Sequence, residues 1–192
     1  QVNAPSIGSS AMLVELKISC WTGRKKDKSA SATVTTQNSA DKGTASVNKK
    51  LLGNCDELTA IQKFVANTRN INYDATMPWS DLGQRLLTMP VYFKHHGILT
   101  GLQAEFYIKR DTFCDNYTWE ISRAQARLGD LFRREDYPTE ESIRSKFDFT
   151  ISYIPLPDAG DFRVDIGNEQ QQVLSDHYSE YYNKQLVSAM ND

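Results

Sequence analysis

Leu99, Leu102, Phe106, Phe113, Tyr117, Ala124, Leu128 and Leu131 recur at steps near three, four and seven. That spacing keeps them on one side of an α-helix. The stripe is narrow and lasts about four heptads, with Lys109 as a polar interruption, so it resembles a coiled-coil seam more than a broad globular face. At ~1.5 Å per residue, such a helix spans on the order of 50 Å. A helix with so narrow a stripe needs partners. Residues 56–73 can cover part of it, and the remainder falls to the C-terminal segment or to another subunit.

Two segments alternate with period two, the mark of a half-buried strand. In the first, Met12, Val14, Leu16, Ile18 and Cys20 alternate with Leu13, Glu15, Lys17 and Ser19. In the second, Phe147, Phe149, Ile151 and Tyr153 alternate with Asp148, Thr150 and Ser152. Two strands so far apart most economically pair with each other, as the floor of a small sheet. Between them, Asn54 and Glu57 have the spacing of a capping box. Leu58, Ile61, Val65 and Thr68 follow on one helical face that fades near Tyr73. Pro78-Trp79-Ser80-Asp81-Leu82-Gly83 is turn chemistry with an aromatic anchor. Thr139 with Glu140 and Glu141 starts a short helix. Beyond the linker Asp158-Ala159-Gly160-Asp161, the spacing predicts a third strand at Phe162, Val164 and Ile166, then a helix from Glu169 to Asp192.

Charge is unevenly distributed. Between Arg24 and Lys50, seven cations (Arg24, Lys25, Lys26, Lys28, Lys42, Lys49, Lys50) face only Asp27 and Asp41, a surplus of five in a chain of net charge −2. Residues 27–48 carry only Val34 and Val47 as large apolar side chains. Such a segment buries too little surface to offset chain entropy, and disorder is expected there. A mobile basic arm over residues 22–50 on an acidic body points to a polyanionic partner. Trp21 beside it has the chemistry to stack on a base. The candidate nucleic-acid-binding residues are therefore Trp21, Arg24, Lys25, Lys26, Lys28, Lys42, Lys49 and Lys50. In the competing reading, Trp21 caps the small sheet's core and the lysines solvate a loop.

Catalytic machinery is not legible. The chain has no Gly-x-x-x-x-Gly-Lys, Gly-x-Gly-x-x-Gly or Gly-x-Ser-x-Gly segment. His95 and His96 are adjacent, so they cannot both face one metal from a helix, and they read as a surface or helix-start pair. Asp158, Asp161 and Asp165 read as a solvated linker rather than a Mg²⁺ site. Cys20, Cys55 and Cys114 are odd in number and widely spaced, which suits free thiols in a reducing cytoplasm. No apolar run approaches the ~20 residues of a membrane span. The expectation is a non-enzymatic protein without cofactor or metal.

Several segments together resemble an uncharacterised family of bacteriophage and mobile-element proteins. They are Leu13-Val14-Glu15-Leu16 running into Trp21-Thr22-Gly23-Arg24-Lys25-Lys26, Pro78-Trp79-Ser80-Asp81 followed by Arg85-Leu86-Leu87, and Tyr137-Pro138 leading to Ser145-Lys146-Phe147-Asp148-Phe149. The last continues through Pro155-Leu156-Pro157 to Asp161-Phe162-Arg163-Val164. The resemblance implies long helical hairpins flanked by strands. Some members are encoded near MoxR-type AAA+ ATPases or recombination genes.

The combined expectation is an α+β chain, mostly helical, with a long helical hairpin or coiled-coil-like bundle on a small β-sheet. Residues 1–10 form a flexible leader, 11–157 the main domain, and 158–192 a linker with a possible short strand and a C-terminal helix. The expected function is oligomeric binding of nucleic acid, single-stranded DNA in phage replication or recombination, in the cytoplasm of the bacterial host. The alternatives are an adaptor for an AAA+ ATPase and a virion structural protein.

Overall fold

The computed structural model describes residues 10–41, 43–80 and 83–156, with Glu180, Lys184 and Val187. The elements run β1 (Ala11–Ser19), β2 (Arg24–Asp27), α1 (Lys28–Gln37), β3 (Val47–Lys50), α2 (Asp56–Asp74), β4 (Met77–Pro78), β5 (Gln84–Thr88), α3 (Met89–Asp115), α4 (Tyr117–Leu128), α5 (Glu140–Arg144) and β6 (Asp148–Pro155). Two 3₁₀ turns, Gly129–Leu131 and Arg134–Asp136, separate α4 from α5. The chain is α+β and mostly helical, as expected. The expected strand at Phe162–Ile166 and the acidic run Asp158, Asp161 and Asp165 lie outside the described residues. So does the expected C-terminal helix, apart from Glu180, Lys184 and Val187. Among the described residues no helix is long and apolar enough to cross a membrane.

The chain divides into two compact units, one of Gln1–Ile18, Ala66–Ala104 and Phe149–Asp192, the other of Ser19–Val65 and Glu105–Asp148. The first unit is built on a four-stranded sheet of order β4-β5-β1-β6. The two strands expected to pair are indeed neighbours. β1 also pairs antiparallel with β5, placing Met12 opposite Leu87, Leu13 opposite Leu86 and Val14 opposite Arg85. β5 follows the expected turn segment, at residues for which no element was expected. Its Leu86-Leu87 doublet hides the period, because a central position covered on both faces buries consecutive residues. The same cause corrects β1, whose Leu13 and Val14 are both buried. Ala11, Leu13, Leu86 and Leu156 form one small core, against which Met77 and Trp79 pack.

The second unit is organised around aromatic rings. Phe106, Phe113 and Tyr117 have no exposed surface. Phe147 lies 5.5 Å from the Phe113 ring centre, and Trp21 lies 6.3 Å from Phe113 and 5.8 Å from Tyr117. At Phe113 and Tyr117, the seam whose cover was expected from the C-terminal segment or another subunit packs against Trp21 and Phe147 of the same chain. It also ends earlier than its spacing suggests: the helix is interrupted at Asn116, α4 stops at Gly129 with φ of 49°, and Leu131 is 57% exposed. Lys109, the polar interruption, lies 5.4 Å over the Phe64 ring and 3.1 Å from Glu105. Two phenols bind backbone across the core: Tyr117 donates to the Pro138 carbonyl at 3.0 Å and Tyr137 to that of Leu51 at 2.7 Å. Burial pushes both phenols above their ordinary range. α2 starts at Asp56, and the Glu57 carboxylate expected in a capping box instead accepts from Asn116 Nδ2 at 2.8 Å. α5 starts as expected, with the Thr139 side chain accepting from the Ser142 N–H.

Candidate anion-binding face

The segment expected to be a mobile arm is folded. β2 and β3 pair antiparallel, with Arg24 opposite Lys50, Lys25 opposite Lys49, Lys26 opposite Asn48 and Asp27 opposite Val47. α1 fills the excursion between them. Asp27 caps it, accepting from the Ala30 N–H at 2.9 Å. Ser31 Oγ then donates to the Asp27 carbonyl at 2.5 Å and accepts from the Val47 N–H at 2.9 Å, tying the helix to β3. Thr35 Oγ1 donates to the Ser31 carbonyl at 2.7 Å. The buried side of α1 is made of Ser31 and Thr35. Hydroxyls satisfied by backbone replace the apolar stripe whose absence suggested disorder.

Residues directly opposite in an antiparallel pair share a face, and successive residues alternate. Lys25 and Lys49 therefore lie on one face, and Arg24, Lys26, Asn48 and Lys50 on the other. The first face is neutralised. Lys25 Nζ lies 2.8 Å from Asp136 Oδ1, and Lys49 Nζ lies 2.5 Å from Oδ2. Lys49 also donates to the Leu131 carbonyl at 2.8 Å, and its side chain is only 10% exposed. Burial alone would raise the Asp136 carboxyl, but hydrogen bonds and charge from the two lysines outweigh it and hold the group below its ordinary value.

The second face is open. Arg24, Lys26 and Lys50 are exposed, as is Lys28 at the start of α1. None of the four is in an ion pair with any described residue. Lys26 and Lys28 continue into an open groove of about 400 Å³ whose floor carries Ser31, Thr35 and Thr36.

Of the eight sequence-predicted residues, the ribbon thus brings Arg24, Lys26 and Lys50 together, with Lys28 beside them. Lys25 and Lys49 are engaged in structure. Trp21 is half-buried, with its ring packed on Phe113 and Tyr117. Lys42 lies outside the described residues. Asp136 is the residue that sequence reasoning missed. Nothing local marks it, since the lysines it neutralises are distant in the chain.

His95 corrects another expectation. It is 2% exposed rather than a surface residue. Its Nε2 lies 2.9 Å from Asn72 Oδ1 and its Nδ1 3.1 Å from the Tyr153 hydroxyl. Burial, then the neighbouring His96, push its pKa below the ordinary value. His96 is exposed and stacks on Tyr92, the ring centres being 5.7 Å apart.

No protein-family model, curated protein or solved structure matches this chain.

Proposed function

We propose that the chain is a non-enzymatic nucleic-acid-binding protein that holds a phosphate backbone against the outer face of β2 and β3. The observation that carries this reading is the opposition of Arg24 and Lys50 on an exposed face with no acidic partner among the described residues. Like charges directly opposite each other weaken a strand pair. A bound polyanion reverses that penalty. Contacts of this kind read phosphates rather than bases, so binding is sequence-independent and salt-sensitive. The small footprint of three or four cations on a chain of net charge −2 suits a short stretch of single strand better than a long duplex tract. Single-stranded DNA in phage replication or recombination, within the host cytoplasm, is the setting that the family resemblance favours.

Fluorescence anisotropy with labelled single-stranded and duplex DNA, at two salt concentrations, tests this. Three to four phosphate contacts on a single strand give a slope of log K against log[salt] of roughly −2 to −3. The triple variant Arg24→Ala, Lys26→Ala, Lys50→Ala flattens that slope, while Lys25→Ala changes it little. Absence of binding at low salt removes the reading.

A second reading, an adaptor for an AAA+ ATPase or a virion component, draws on exposed apolar side chains. Phe93 is 80% exposed, Ile108 67% and Trp119 61%. Nuclease-resistant capture of an ATPase, lost in Phe93→Ala, favours it over the first.

A further inference from the structure

The first unit holds a polar cavity unrelated to the β2–β3 ribbon. Its volume is about 250 Å³, and Arg69, Asn72, Ser80, Gln84 and Arg85 contribute its polar lining. Among the described lining residues none carries a carboxylate. Neither arginine is ion-paired with a described residue. What the two guanidiniums hold is neutral. Arg69 Nη2 donates to the Ile18 carbonyl at 2.9 Å. Arg85 Nε donates to Thr76 Oγ1 at 2.6 Å and its Nη2 to the Thr76 carbonyl at 2.8 Å. Its carbon lies 4.8 Å over the Tyr73 ring. Each guanidinium has five N–H donors. Among the described residues, Arg85 Nη1 and the Nε and Nη1 of Arg69 carry no hydrogen bond.

A third donor is set by the buried relay behind the cavity. Asn72 is 3% exposed and lines the cavity. Its Oδ1 faces His95 Nε2 at 2.9 Å, and His95 Nδ1 faces the Tyr153 hydroxyl at 3.1 Å. With Oδ1 committed to the imidazole, the amide N–H₂ is what Asn72 has left to offer. Two cations, a fixed amide donor, the Ser80 hydroxyl and the Gln84 amide converge on a space fit for a small ion.

We propose that this cavity binds a phosphate group, with Arg69 and Arg85 supplying charge and Asn72 orienting one oxygen. Forked guanidiniums suit tetrahedral oxyanions. The group is free phosphate or the terminal phosphate of a nucleic-acid strand, which share this chemistry.

The test is an NMR titration of the full chain with inorganic phosphate, at constant ionic strength maintained with chloride. Saturable shifts at the Asn72 side-chain amide and at the His95 imidazole are the expected result. Arg69→Gln should weaken binding about tenfold or more. Arg69 is exposed, so this variant should fold, as an unchanged circular dichroism spectrum would verify. Ser80→Ala provides a second, milder perturbation. A 5′-phosphorylated dinucleotide binding more tightly than phosphate identifies a strand end as the source, and equal binding identifies the free ion. The triple variant of the β2–β3 face leaves phosphate binding intact, so the two sites fail separately. No saturable shift, or binding undiminished by Arg69→Gln, overturns the proposal.

Discussion

The two sheets of this protein are stabilised by different physics. The four-stranded sheet buries Leu13, Val14, Leu86, Leu87 and Phe149, and the polar side chains buried in its unit include Thr68, Asn72, Thr76 and His95. The β2–β3 ribbon buries almost no hydrocarbon. A capping carboxylate, a bridging serine and two lysines on one aspartate hold it. Such a structure leaves one of its faces unneutralised and available to a ligand. An apolar sheet of the same size would have to cover that face.

Variants in the apolar sheet should produce the largest losses. Leu87 is fully buried, and Leu87→Ala should cost about 2–5 kcal/mol in chemical denaturation. A loss well under 1 kcal/mol would mean that the sheet tolerates a cavity there and that the contrast with the ribbon is overstated.

Asp136→Asn comes next. Its carboxylate is 9% exposed and serves two lysines, but Lys25 is half exposed and solvent already screens that pair. A loss of about 1–3 kcal/mol is expected, below the usual cost of breaking a fully buried pair. Acid separates the two regions further. Because Asp136 is depressed in the folded state, its contribution is complete above the unfolded carboxylate value. It is lost as pH falls through the lower folded value, so the gap between wild type and Asp136→Asn should close there. His95 is also depressed, so its contribution is complete above about 6.5 and declines as pH falls from there toward the folded value. Hydrogen exchange followed across this range should show β1 and β5 loosening before β2 and β3. The reverse order would contradict both assignments.

The smallest stability effect belongs to the open face. Replacing Arg24, Lys26 and Lys50 with alanine should change stability by less than about 0.5 kcal/mol, with slight stabilisation favoured because the Arg24–Lys50 repulsion is removed. A large destabilisation in thermal melts would show that these cations serve the fold instead of a ligand.

The same contrast governs what the sequence revealed. Period-two spacing at Phe147, Phe149 and Ile151 located β6, and Leu58, Ile61 and Val65 located α2, because each element buries one regular apolar face. Thr139 located α5 through its cap. β5 escaped because Leu86 and Leu87 are consecutive and both buried. α1 escaped because Ser31 and Thr35 are its buried side, and hydropathy counts them as solvent-facing. Asp136 was invisible for a third reason: its role depends on distant lysines meeting it in space. The cation surplus was legible, but its division into a neutralised and an open face required the register.

Gly23 holds φ of 63°, and a β-carbon there would lie 2.8 Å from Leu58 Cδ2, so the position belongs to glycine. Its carbonyl accepts from the Leu51 N–H at 2.8 Å. Residues 24–50 thus depart and return at one seam, like a sleeve sewn to a garment, and the contacts of Lys25 and Lys49 with Asp136 reinforce it. Lengthening a closed excursion costs only about 0.6 kcal/mol per doubling. Insertions or trims at its tip around Gly43 leave the seam where it is, so the cationic surface can vary in reach across generations while the rest of the molecule keeps its shape.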